Sequence, residues 1–389
     1  MQSYMIGWGH TPLGRLNGQD SEDLLVAATR EALDDAGVSA GEIDAIFVGH
    51  FNNGMSAQDF TASLALQADE AFRFKPATRL ENACATGSAA IHAGLDFLAA
   101  GRGRRVLVVG VEKMTDSPAP QVADSLLAAS YRREESGIQG GFVGVFAHIA
   151  DQYFGRFGDQ REILARIAAK NHQNGVDNPY AQLRKDLGFE FCNTVSDNNP
   201  LVAGALRRTD CSPISDGAAA VVLVTDDAAR DARRRIGFRS RVQVNDFLPM
   251  SRRDMTRFEG AERAWATGLN EAGLTLEELD LVETHDCFTI AELIQYESMG
   301  LTPRGEGYRA VLEGWTRKDG RLPVNPSGGL KAKGHPVGAT GVSMHVMAAK
   351  QLAGEADGMQ IPGAGLAAVF NMGGSAVSNY LSILELERA

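Results

Sequence analysis

Cysteine is scarce and scattered in this 389-residue chain: Cys84, Cys192, Cys211 and Cys287 show no CxxC spacing. That excludes a zinc knuckle and offers no disulfide framework, so a reducing, cytoplasmic setting is expected. Positive charge is in deficit, with 38 Lys and Arg against 49 Asp and Glu and a net charge of −11. Gripping a phosphate backbone needs a basic face, so nucleic acid is excluded as the main partner, while a local basic patch for a small anionic ligand stays open. No apolar run reaches the roughly 18 residues a membrane-crossing helix needs. The opening MQSYMIGWGHTPLGRL lacks a basic segment followed by a long apolar one, and the closing LELERA carries no peroxisomal address. Neither a secretory signal nor membrane attachment is expected.

What is present describes a globular α/β protein. Hydrophobic residues make up 44% and charged residues 22%, which excludes wholesale disorder, and 43 glycines imply many tight turns or close backbone approaches. The length exceeds one usual domain. Self-comparison shows why: at an offset of 236 the stretch AATREALDDAGVSAGEIDAIFVGHF (27–51) overlaps AWATGLNEAGLTLEELDLVETHDCF (264–288), so that Ala36-Gly37 meets Ala272-Gly273 and Asp44 meets Asp280. Each copy reads as a helix stopped by glycine, an acidic turn and an apolar strand. SDGAAAVVLVTD (215–226) and MGGSAVSNYLSILEL (372–386) read as matching final strands. Continuous apolar runs such as RRVLVVGVE (104–112) suit a sheet covered on both faces. Two α/β halves are expected, 1–235 and 236–389. The polar, turn-rich stretch of about 116–208 is expected to form a lobe inserted into the first, carrying one helix and then loops.

Three segments could carry chemistry. In ENACATGSAAIHAG (81–94) Cys84 stands among small residues before a helical run. A free cysteine is commonly packed filler, but a helix N-terminus favours thiolate, and small neighbours leave room for a substrate. A free thiol of pKa ~8.5 is only a few per cent ionised at pH 7, so a base or charge partner is still required. In NPSGGLKAKGHPVGATG (325–341) His335 lies between Gly334 and Pro336, where a stiff turn suits a base and oxyanion donor. Lys331 and Lys333 do not complete a phosphate-binding GxxxxGK[ST] loop. In ETHDCFTIAELIQYESMG (283–300) the repeated strand ends in His285, Asp286 and Cys287, whereas the first copy has Gly49, His50 and Phe51. Strand ends face the crevices where α/β proteins bind ligands. The alternative is that Asp286 caps the following helix and Cys287 packs. His92, His148 and His172 have no such company and read as structural.

These segments, with VLVVGVEKMT, DCSPISDGAAAVVL and NMGGSAVSNY, together resemble the thiolase superfamily across nearly the whole chain. They are most similar to its sterol-carrier-protein-type branch and to bacterial and archaeal acetyl-CoA acetyltransferases. The resemblance implies a five-layered αβαβα fold of two βαβαβαββ halves with an inserted loop lobe. It makes Cys84 the acyl-accepting nucleophile and His335 its activator. His285 would take the place of the asparagine of the usual NEAF motif in one oxyanion hole, and Gly373 with the Cys84 N–H would form a second. One departure matters: ordinary thiolases end in CxG, whose cysteine handles the α-proton, but here that position is Asn371. The resemblance passes the acid/base role to Cys287.

The implied reaction is reversible Claisen condensation or thiolytic cleavage of a 3-oxoacyl-CoA through an acyl-cysteine, in lipid or fatty acid metabolism. No permanently bound cofactor or metal is implied; coenzyme A and acyl-CoA are the substrates. Arg184, Lys185, Arg207 and Arg208 are candidates for the coenzyme's phosphates. A homodimer or dimer of dimers is expected by resemblance. The alternatives are a retro-aldolase on a β-hydroxyacyl-CoA working with a small OB-fold partner, and a non-catalytic acyl-CoA-binding scaffold.

Overall fold

The computed structural model describes residues 2–387. The first half runs β1 (Ser3–His10), α1 (Ser21–Ala36), β2 (Ala45–Gly49), α2 (Thr61–Leu64), β3 (Ala77–Leu80), α3 (Thr86–Ala99) and β4 (Arg105–Glu112). A lobe follows with α4 (Ala119–Leu127), α5 (Arg132–Glu135), α6 (Gly141–Phe157), α7 (Arg161–Gly175), α8 (Gly188–Asn193) and the hairpin β5 (Leu201–Ala203) and β6 (Leu206–Arg207). The half closes with β7 (Gly217–Thr225). The second half runs β8 (Arg235–Asn245), α9 (Glu259–Ala272), β9 (Leu281–Thr284), α10 (Thr289–Ser298), α11 (Gly307–Leu312), α12 (Gly329–Lys333), α13 (Val337–Ala353), β10 (Leu366–Gly373) and β11 (Ser378–Glu387).

The repeat is visible in the hydrogen bonding. The strands follow the order β3-β2-β4-β7-β1-β8-β11-β10-β9, so the second half mirrors the first across the β1–β8 junction. The counterpart of β3 shrinks to a bridge between Val282 and Val324. Glycine ends the equivalent helices: α1 stops at Gly37 and α9 at Gly273, with φ of 64° and 67°. Those left-handed caps are cheap only for glycine. Asp20 and Asp23 form a reciprocal cap at the start of α1.

Five layers result. The outer helix α1 covers β1, β7 and β4, and α9 covers β8 and β11. Between the two halves of this sheet lie α3 and α13, with α13 packed on strands of both halves. β4 and β7 accordingly have nearly every side chain buried, as a sheet sandwiched on both faces requires. The lobe differs from the expectation of one helix followed by loops. It is built around two long helices, α6 and α7, whose residues Phe142, Val145, Phe146, Ile149 and Ile163, Leu164, Ile167 are buried in the main core. That stripe has helical spacing.

The two central helices cross backbone to backbone. A Cβ on Gly87 of α3 would lie 2.6 Å from Val342 N, and one on Gly341 of α13 would lie 2.2 Å from Ser88 N. Only hydrogen fits at this crossing, and it draws the N-terminal ends of both helices together.

Gly87→Ala or Gly341→Ala is expected to destabilise the protein by about 1–3 kcal/mol or more, because backbone, not a mobile side chain, must shift. Gly155→Ala, inside α6 with nothing within 4 Å of the added carbon, is expected to gain up to about 1 kcal/mol. Urea unfolding midpoints of the three variants check this ordering.

Candidate functional site

Cys84 sits on the turn from β3 into α3. Ala83 before it is left-handed, φ 49°, a strained conformation for a residue with a β-carbon. The surroundings hold it there. The Glu81 carboxylate accepts the Ala83 N–H at 2.5 Å, and the Thr86 hydroxyl accepts from Asn82 N (2.8 Å) and donates to Ala83 O (2.6 Å). The thiol is 3% exposed. Burial pushes its pKa up to about 12, outweighing the Gly374 N–H that points at the sulfur. The pull of the helix N-terminus toward thiolate is therefore outweighed: desolvation wins, the resting group is S–H, and a base is needed as expected. The N–H offered to the sulfur is that of Gly374, while Gly373 ends β10 with its α-carbon close against Asn82 O.

His335 enters from the turn between α12 and α13. Its backbone N–H donates to Ser215 Oγ at 3.0 Å. Its Nδ1 meets Thr340 Oγ1 at 2.6 Å, and that hydroxyl donates to Pro336 O at 2.9 Å. With the threonine proton committed to the carbonyl, His335 donates from Nδ1 and keeps a lone pair on Nε2. Among the described residues Nε2 has no hydrogen-bond partner. Burial, with Lys333 adding, lowers the His335 pKa to about 3, so the ring is neutral at working pH. Glu112 steadies the turn by accepting the N–H groups of Gly338 (2.9 Å), Phe51 (3.1 Å) and Asn52 (3.0 Å).

The segment His285-Asp286-Cys287 leaves the end of β9. Gln295 on α10 grips it, donating to His285 O at 2.6 Å and accepting the His285 N–H at 3.2 Å. Asp286 caps no helix of its own. Its carboxylate accepts from Leu330 N (2.6 Å), Lys331 N (3.2 Å) and Asn171 Nδ2 (2.8 Å), tying this loop to the segment that leads to His335. Gly329 permits the approach, since a Cβ there would lie 2.2 Å from the carboxylate. His285 is fully buried, and burial holds its pKa well below the usual value, with His335 and Lys333 adding to the effect. Its Nε2 also lacks a partner among the described residues.

Three elements thus deliver Cys84, His285 and His335 to one point. The sulfur and a ring nitrogen of each histidine lie within 4.8 Å of one another, and the two rings meet edge to face with centroids 5.1 Å apart. The donor set, one sulfur and two nitrogens, is of a kind that can also hold zinc. Beside it lies a cavity of about 150 Å³ lined by Cys84, Cys287, His335, Met114, Val122, Leu126, Phe142, Ile214 and Phe288. Cys287 is 2% exposed. Burial keeps its thiol protonated, and Cys84 nearby reinforces this.

Other expected positions lie elsewhere. Arg207 is not available for a ligand: it is buried and paired with Asp210 (2.9 Å) and Asn193 (3.1 Å), as a strut of the lobe. Arg184, Lys185 and Arg208 are exposed, and none lines the cavity. His92 packs edge to face on Tyr380. Sequence reasoning treated Asn371 only as a missing cysteine, yet it touches Cys84, His285 and Ser88. The apolar wall from α4 and the start of α6 was missed as well, because nothing local distinguishes it from core.

Comparison with known proteins places these features. Residues 3–191 match the family model "Thiolase, N-terminal domain" and residues 243–386 match "Thiolase C-terminal domain-like". An acetyl-CoA acetyltransferase of Methanothermobacter thermautotrophicus is 37% identical, over 95% of this chain and 96% of that protein. Human sterol carrier protein 2 is 31% identical over 95% of this chain and 69% of its own length. Among solved structures, an Ltp2-ChsH2(DUF35) aldolase superposes with a TM-score of 0.82 at 20% identity, covering 100% of this chain and 98% of that one. At that identity the likeness is one of fold.

With no resting thiolate, a small alkylating agent such as iodoacetamide should label Cys84 slowly at neutral pH. The rate is expected to climb about tenfold per pH unit beyond pH 9, as for an unionised thiol. Peptide mass spectrometry of the labelled cysteine checks this. A plateau near pH 7 would reveal a thiolate and contradict the burial argument.

Proposed function

Because this chain belongs to the thiolase family, we propose that it is an acyltransferase that makes or cleaves 3-oxoacyl-CoA thioesters through an acyl group on Cys84. The observation that carries the reading is the convergence of Cys84, His285 and His335 within 4.8 Å beside an apolar cavity. Relatives named acetyl-CoA acetyltransferase support the same class.

In the cleavage direction Cys84 sulfur attacks the 3-oxo carbon while His335 Nε2 takes the thiol proton. A base is needed because a buried thiol does not ionise alone. His285 Nε2, and His335 Nε2 once it holds the thiol proton, then donate to the thioester oxygen as it gains charge, and donors held by a rigid site cost little reorganisation there. When the carbon–carbon bond breaks, the leaving enolate of acetyl-CoA takes the proton of Cys287, whose raised pKa keeps that proton available. Coenzyme A then attacks the acyl-cysteine, its own proton restoring Cys287, while His335 returns the first proton to Cys84. Condensation is the same path reversed. No permanently bound cofactor takes part.

A second reading, retro-aldol cleavage of a β-hydroxyacyl-CoA alongside a small OB-fold partner, draws on the aldolase among the structural neighbours. It needs no acyl-cysteine. Assembly as a homodimer or dimer of dimers is part of the proposal. The edge strand β3, flanked by Phe60 and Phe74 at 78% and 87% exposure, is a surface such an assembly would cover. No helix among the described residues is long and apolar enough to cross a membrane, and a cytoplasmic location is proposed.

Intact mass spectrometry after brief exposure to acetyl-CoA is expected to show one acetyl adduct on wild type and none on Cys84→Ala. Cys287→Ala should keep the adduct but lose condensation by about 10²-fold or more, the usual weight of a positioned acid/base. His335→Ala should form the adduct at least about 10²-fold more slowly. Absence of any adduct with acetyl-CoA and with longer acyl thioesters would reject this reading in favour of the aldolase or scaffold.

A further inference from the structure

We propose that Asn371 is a positioning residue that fixes the tautomer of His285, so that the two facing histidines present opposite polarity to the substrate. The amide lies at the end of β10, fully buried. Its orientation is decided by partners that leave no choice. Cys84 O, a carbonyl, can only accept, and it lies 3.1 Å from Asn371 Nδ2. Ser88 Oγ donates to Asn371 Oδ1 at 2.8 Å from the other side. The NH2 group therefore faces the catalytic turn, and its second hydrogen is directed at His285 Nδ1, 2.9 Å away.

An acceptor at Nδ1 obliges the neutral ring to carry its proton on Nε2. His335 is set the other way, since its Nδ1 donates to Thr340 and its Nε2 holds a lone pair. Both Nε2 atoms lack partners among the described residues, so one ring accepts the thiol proton while the other donates to the carbonyl oxygen. Deep burial keeps both rings neutral, and without Asn371 nothing would select between the two tautomers of His285. The same amide fastens the Cys84 backbone, so nucleophile and oxyanion donor are registered by one side chain. The residue at this position thus contributes orientation and not proton transfer.

The inference rests on His285 serving as the oxyanion donor, so two independent readouts are needed. In wild-type protein labelled with 15N-histidine, long-range proton–nitrogen correlation should show the His285 ring, assigned by its loss in His285→Asn, protonated at Nε2 and bare at Nδ1. A ring protonated at Nδ1 overturns the proposal whatever the enzyme does. Kinetically, Asn371→Ala should lower kcat for acyl transfer by about 10- to 100-fold with KM nearly unchanged, as for a weakened oxyanion donor. In a His285→Asn background, where an amide donor has no tautomer to fix, the same substitution should cost less than about threefold. Equal losses in both backgrounds would make Asn371 merely structural and overturn the proposal. If wild type transfers no acyl group, the functional reading fails, but the ring spectrum still decides this one.

Discussion

The crossing of α3 and α13 at Gly87 and Gly341 is the constraint on which the site depends. Neither helix could come so close with a β-carbon at those positions. Because the helices touch there, the turn before α3 and the turn before α13 lie side by side, and each brings one reactive residue, Cys84 and His335. Two neighbouring strands of the second half then add the other parts: the loop after β9 carries His285 and Cys287, and Asn371 lies near the end of β10. A site assembled from four chain segments is held by packing of rigid elements, which is how a reactive geometry is kept within fractions of an ångström.

Burial shapes the chemistry as strongly as position does. Cys84, Cys287, His285 and His335 are all at most 7% exposed, and in each case desolvation is the leading influence on the ionisation. The uncharged form wins everywhere. In the proposed reaction protons must therefore move by direct transfer between neighbours, which makes the direction in which each ring points more important than its pKa. The carboxylates in the neighbourhood serve geometry: Glu112 and Asp286 spend their oxygens on backbone N–H groups of the turns that carry the histidines.

Much of this was legible in the sequence, for physical reasons. The duplicated helix–glycine–strand pattern is a local signal, and Gly37 and Gly273 do cap equivalent helices. Cys84 and His335 stood out by the small residues and glycines around them, and the His285–Cys287 segment as three polar or reactive groups at the end of a strand. The helical lobe was misjudged because its polar surface residues mask the buried stripe of α6 and α7. That the Cys84 thiol needs a base was legible, whereas how far desolvation outweighs the helix terminus was not, because burial is a property of the folded surroundings. Asn371 was read as a loss because its three partners, Cys84, Ser88 and His285, are remote in the chain and meet only once both halves have folded.

The central claim is that Cys84 carries the acyl group between two half-reactions. Rapid-quench measurement of coenzyme A release on mixing enzyme with acetyl-CoA alone tests it most directly. The account expects a fast burst of one coenzyme A per active site, followed by slow turnover. Release without a burst, or a burst that persists in Cys84→Ala, would contradict it.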